Sequence, residues 1–128
     1  MACILVVEDD RPVRDVLVEF LGEQGHVVVA ASGATEARQA MAAKPVELVI
    51  ADCVLHGEQG EAVAQYARAV GVPAILMTGD RARLTAARQQ GFLVLWKPFH
   101  LAQLAELIAY LLGPAAEACR NGTGTGCF

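Results

Sequence analysis

No stretch of this sequence reaches the ~18 consecutive apolar residues that a membrane span requires, so a transmembrane protein is not expected. Clustered lysine and arginine are missing too. Ten basic residues stand against 14 acidic ones, for a formal charge of −4. A nucleic-acid surface needs grouped positive side chains to meet phosphates, so direct nucleic-acid binding is not expected either. The first apolar run is short, has no basic residues before it and meets three acids, Glu8, Asp9 and Asp10; it does not read as a signal peptide. The four cysteines, Cys3, Cys53, Cys119 and Cys127, show no CxxC pairing, and His26, His56 and His100 are not placed with them, which leaves no zinc pattern. Cys3 and Cys53 fall in or beside apolar runs and read as small core residues. Cys119 and Cys127 flank a polar tail and would pair only under oxidation. Neither an internal repeat nor a second domain is visible. The expectation is a cytoplasmic protein with one domain over residues 1–113 and a flexible, glycine-rich C-terminal tail over 114–128.

What is present is a regular alternation. At 55% hydrophobic, the 128 residues can bury a sizeable core. Apolar runs at 4–7, 48–51, 74–77 and 93–96, with a further strand at 26–30, alternate with five helical patterns. Near-continuous Val/Ile/Leu runs indicate strands buried on both faces. The first helix follows Asp9 and Asp10, carries Pro12 in its first turn and ends at Gly22 and Gly25. Val13, Val16, Leu17, Phe20 and Leu21 form its apolar stripe. Further helices are expected over 34–43 with Ser32 as cap, 58–69 with Val63, Tyr66, Ala67 and Val70 on one face, 81–90, and 101–112. The alternation predicts right-handed βαβ crossovers and an α/β, doubly wound parallel sheet.

Four of those strands end on chemistry. The first meets Glu8, Asp9 and Asp10, the third Asp52, the fourth Thr78 and the fifth Lys97. In an open parallel sheet the carboxyl ends of the strands line one crevice. Crowded carboxylates repel one another and call for a cation, and oxygen ligands suit magnesium or manganese. Asp52 carries a carboxylate able to accept a phosphoryl group as an acyl phosphate. Lys97 would supply positive charge and Thr78 a hydroxyl. Each has a plainer alternative: the acidic triplet as partner of a helix N-terminus, Thr78 as a helix cap, Lys97 as a solvated strand-end residue.

Taken in order, Val6-Val7-Glu8-Asp9-Asp10 with Pro12 and Arg14, Leu48 to Asp52, Gly57 and Gly60, Ile75 to Gly79, and Lys97-Pro98-Phe99 make the chain resemble the receiver domain of two-component response regulators over residues 3–112. The resemblance implies a flavodoxin-like (βα)5 fold of strand order 2-1-3-4-5. It implies that Asp52 is the phosphoacceptor. Asp9 would bind Mg2+ (or Mn2+) directly, Glu8 through water, and the backbone carbonyl of Val54 with them. Thr78 and Lys97 would contact the phosphoryl group, and Lys97-Pro98 would be a cis peptide. Phosphorylation would shift an equilibrium between two surface conformations.

The partners implied are a sensor histidine kinase or histidine phosphotransfer protein, and a downstream protein target. A homodimer through the face of the fourth helix, fifth strand and fifth helix is a further expectation. The protein reads as a stand-alone switch rather than an enzyme with an external substrate. The rivals are a degenerate receiver that binds partners without phosphorylation, an aspartate-nucleophile phosphatase and a flavin binder. The phosphatase would need a second acid, where Val54 stands. The flavin binder would need a phosphate-cradling loop, where acids stand.

Three departures from the family stand out. His56 replaces the usual proline and invites a proton-transfer role, with a plain loop residue as the alternative. Val94 replaces the usual aromatic, so Trp96 either takes over its reporting role or packs on a neighbouring helix. The turn over 89–92 is about a residue short. Arg81, Arg83 and Arg88 give the fourth helix a basic face, solvated or turned to an acidic partner.

Overall fold

The computed structural model describes residues 2–113, so the expected tail over 114–128, with Cys119 and Cys127, lies outside the described residues. Two compact units divide after Pro98. The first holds β1 (Cys3–Val7), α1 (Arg11–Glu23), β2 (Val27–Ala31), α2 (Ala34–Ala43), β3 (Leu48–Asp52), β4 (Val54–Leu55), β5 (Glu58–Gln59), α3 (Gly60–Ala69), β6 (Ala74–Thr78), α4 (Arg81–Gln89) and β7 (Leu93–Trp96). The second holds α5 (Leu101–Leu112), where Leu104 and Ile108 are buried.

Five parallel strands form one sheet in the order β2-β1-β3-β6-β7. Counting only the strands of this sheet, that is the expected 2-1-3-4-5. The order reverses between β1 and β3, the position at which open α/β sheets bind ligands. All five residues of β3 are buried, which fits a central strand covered on both faces. Leu5, Val7, Val49, Ala51 and Leu76 share one face with Ala34 and Ala37 of α2, Val63, Ala64 and Ala67 of α3, and Ala87 of α4. Small alanines let these helices approach the sheet closely. On the opposite face α1 lies against β1 and β2.

Several expectations are corrected. Of the α1 stripe only Leu17 and Leu21 are buried, while Val13 and Val16 are 39% and 54% exposed. An apolar pattern records which face could be buried; an edge helix covers only part of it. Gly22 lies inside α1 and does not end it. Val70, expected on the apolar face of α3, is 51% exposed. Ser32 does not cap α2; Gly33 occupies that position without a side-chain bond, and Glu58 reaches across to accept the Ala34 N–H at 2.9 Å. The third helix begins at Gly60 rather than 58, because residues 54–59 form a two-stranded hairpin, β4–β5, pairing Val54 with Gln59 and Leu55 with Glu58. Its turn is His56-Gly57, where Gly57 takes φ +66°, a value that favours glycine. At the short turn before β7, Phe92 is buried with the Arg68 guanidinium 3.8 Å above its ring.

Candidate functional site

Glu8 follows β1 directly, Asp52 is the last residue of β3, Thr78 the last of β6, and Lys97 follows β7. The parallel register brings these ends level, pairing Val7 with Ala51, Asp52 with Met77 and Thr78 with Trp96. The result is an open cleft of about 370 Å³ lined by Glu8, Asp9, Asp52, Val54, Thr78 and Lys97, joined by Asp10, Val13, Gly79 and Asp80. Every residue singled out from the strand ends is therefore on one surface.

Asp52 is 6% exposed, and its two oxygens have different partners. Oδ1 accepts the Val54 N–H at 2.9 Å, and Oδ2 accepts a hydrogen bond from the Lys97 ammonium. Lys97 is thus no freely solvated strand-end residue. Its Nζ also lies 3.9 Å from Glu8 Oε1. Glu8 is buried; Oε2 accepts the Asp10 N–H at 3.3 Å, while Oε1 has no hydrogen-bond partner among the described residues. Burial pushes the Glu8 carboxyl up to about 7, and the Asp52 charge acts in the same direction against Lys97. A buried acceptor without a donor costs about 1–3 kcal/mol. One ammonium shared between two carboxylates leaves room for more positive charge. The donor chemistry, carboxylate and carbonyl oxygen, suits a hard divalent cation.

Asp9 is differently engaged. Its Oδ2 accepts the His56 backbone N–H at 2.6 Å and stands 2.7 Å from His56 Nδ1. In this arrangement no three carboxylate, thiol or imidazole groups among the described residues are gathered as a ready metal cage. His56 therefore faces Asp9, and it does not line the cleft as a proton-transfer role at Asp52 would require.

Thr78 is buried, and its Oγ1 accepts the Asp80 N–H at 3.0 Å. The cap of α4 is Asp80, whose Oδ1 accepts the N–H groups of Ala82 and Arg83 at 2.8 and 3.2 Å, which corrects the cap reading of Thr78. The Lys97-Pro98 peptide is cis. Trp96 is 38% exposed with the Arg81 guanidinium 5.9 Å from its ring, so it meets the first residue of α4. Val94 is half-buried against the interior cluster.

Two residues matter more than their sequence positions suggest. Arg83 is not part of a free basic face: its Nη1 donates to the Cys53 carbonyl at 2.7 Å and meets both Glu61 oxygens at 3.1 and 3.2 Å. His56 holds a carboxylate 47 residues away. Neither contact has a periodic or local signal, since each is made by residues distant in the chain.

A family model described as the response regulator receiver domain matches residues 4–109. The response regulator protein FleR of Pseudomonas aeruginosa is 36% identical over 114 residues, 84% of this chain and 24% of its own length. The transcriptional regulatory protein AruR of the same organism is 38% identical over 84 residues, 59% of this chain and 34% of its own length. The chain thus spans about a quarter to a third of these curated relatives. Among solved structures, the response regulator protein TrrA of Thermotoga maritima, in complex with Mg(2+)-BeF, superposes with a TM-score of 0.79 at 28% identity, covering 87% of this chain and 99% of TrrA.

Proposed function

The chain belongs to the response regulator receiver-domain family of two-component systems, and from that premise we propose that residues 1–113 act as a switch phosphorylated on Asp52. The observation that carries this reading is the cleft itself: Asp52 with Lys97 on one oxygen, a buried and partly unsatisfied Glu8 beside it, and Thr78 on the same floor.

The donor would be a phosphohistidine on a sensor histidine kinase or histidine phosphotransfer protein. An Asp52 carboxylate oxygen attacks phosphorus; the O–P bond forms as the P–N bond breaks, and the departing imidazole keeps the electron pair. Lys97 steadies the Asp52 carboxylate before transfer and a phosphoryl oxygen afterwards. The Thr78 hydroxyl donates to another phosphoryl oxygen. Glu8, Asp9, Asp52 and the Val54 carbonyl would hold Mg2+, with Mn2+ as a substitute. When bound, that ion neutralises phosphoryl charge. The orphaned Glu8 oxygen is the feature of this chain that fits it. Val54, exposed and apolar two residues after Asp52, offers no acid for a leaving group, which weighs against a phosphatase.

The test is intact mass after incubation with acetyl phosphate or a phosphohistidine donor, with and without Mg2+. Wild type should gain one phosphoryl group in a Mg2+-dependent manner, and Asp52→Asn none. Equal gain by Asp52→Asn, or no gain by wild type from either donor, would overturn the proposal.

A further inference from the structure

We propose that His56 is a latch on the cation site: its backbone N–H holds Asp9 Oδ2 with the imidazole set against the same oxygen, and a divalent ion that uses this oxygen must take it from His56. The inference rests on the proposed reading of Glu8, Asp9 and Asp52 as cation ligands. The geometry is specific. Backbone N–H and imidazole Nδ1 of one residue converge on the same oxygen, Asp9 Oδ2, at 2.6 and 2.7 Å. A lone pair given to an N–H donor is turned away from a cation, and the donor's partial positive charge repels one. Carboxylate oxygen cannot serve both at full strength.

The hairpin carrying His56 is built to hold it at that place. Its base is fixed: Leu55 is buried, Val54 N–H bonds Asp52 Oδ1, and Glu58 Oε1 caps the start of α2. Its tip is not. The His56 side chain is 94% exposed, whereas that of Asp9 is 17% exposed. An anchored base with an exposed tip places the imidazole without burying it, so the contact can open at small cost. When the ion takes Asp9, the tip loses its tether while the base stays in place. His56 is therefore a positioning residue, acting on the site through Asp9.

Calorimetric titration with Mg2+ tests this on wild type and three variants at one pH. His56→Ala removes the imidazole and should bind Mg2+ about three- to tenfold more tightly, the range expected for loss of one competing polar contact. His56→Asn puts an amide nitrogen near the place of Nδ1 and should return roughly to the wild-type affinity. Asp9→Ala should lose most binding. In the same samples, saturating Mg2+ should speed amide exchange at His56 in wild type. Equal or weaker Mg2+ affinity in His56→Ala, with Asp9→Ala impaired, would overturn the latch and leave the cation reading standing. Flat titrations for wild type and His56→Ala alike would overturn the cation reading, and the latch with it. Undiminished binding by Asp9→Ala would remove Asp9 from the site and end the latch too.

Discussion

Cys53 follows Asp52 in the chain but belongs to the interior. It is fully buried in the cluster shared with α2 and α3, and its N–H bonds the Met77 carbonyl. Burial pushes its thiol up to about 12, helped by the charges of Glu61 and Asp52, with Arg83 opposing. Folding therefore holds the proton on this thiol while the unfolded chain releases it near 9.0. The sign follows: the Cys53 contribution to stability is intact below pH 9.0 and is lost as pH rises toward about 12. Urea midpoints from pH 8 to 10.5 should fall less steeply in Cys53→Ala than in wild type. Peptide mapping after treatment with a thiol reagent should show Cys53 unmodified in native protein and modified after unfolding. That Cys53 is a core residue was legible from its place at the end of an apolar run. The raised thiol was not, because it depends first on how completely the fold buries Cys53 and then on Glu61 and Asp52 arriving beside it.

At the scale of elements, the passage from β3 to α3 leaves no room beside Gly60. A Cβ on Gly60 would stand 1.7 Å from the Asp52 carbonyl oxygen and 2.9 Å from Cys53 Cα, both backbone atoms with no room to yield. Gly60 N–H bonds the Cys53 carbonyl, which Arg83 also contacts. Gly60→Ala must push the start of α3 away from the strand end that carries Asp52. It should lower stability by about 1–3 kcal/mol, the usual cost of overpacking, read from a denaturant midpoint, and it should slow phosphorylation of Asp52 as well. Full stability in Gly60→Ala would show that the backbone gives way more easily than this contact implies. The hairpin between Asp52 and Gly60 escaped the sequence reading for a physical reason. Two strands of two residues are too short to show alternation, and their place is set by Asp9 and the start of α2 rather than by their own residues. The same holds for the α2 cap: Ser32 was the local choice, but Glu58 arrives from 24 residues further on and takes the Ala34 N–H.

For the molecule as a whole, the proposed cation is a source of stability, since a ligand that binds only the folded state stabilises it by mass action. At a hundredfold excess over its Kd, Mg2+ should add about 2.7 kcal/mol to wild type, seen as a shift of the urea midpoint. Asp9→Ala should show little shift at the same concentration. An equal shift in both would place the stabilising ion elsewhere. Much of the architecture behind this was determined by the chain read alone. Short, near-continuous apolar runs at 4–7, 48–51 and 74–77 fit strands buried on both faces, and their alternation with helices favours parallel pairing. Because parallel strands all point one way, Glu8, Asp52, Thr78 and Lys97, each at a strand end, had to meet. Tertiary structure alone decided how they share their charges. Whether Lys97 serves Asp52 or Glu8, which Glu8 oxygen is left without a donor, and that His56 holds Asp9 are outcomes of side chains competing in space. Periodicity encodes which face a residue takes, but not which of several neighbours it pairs with there.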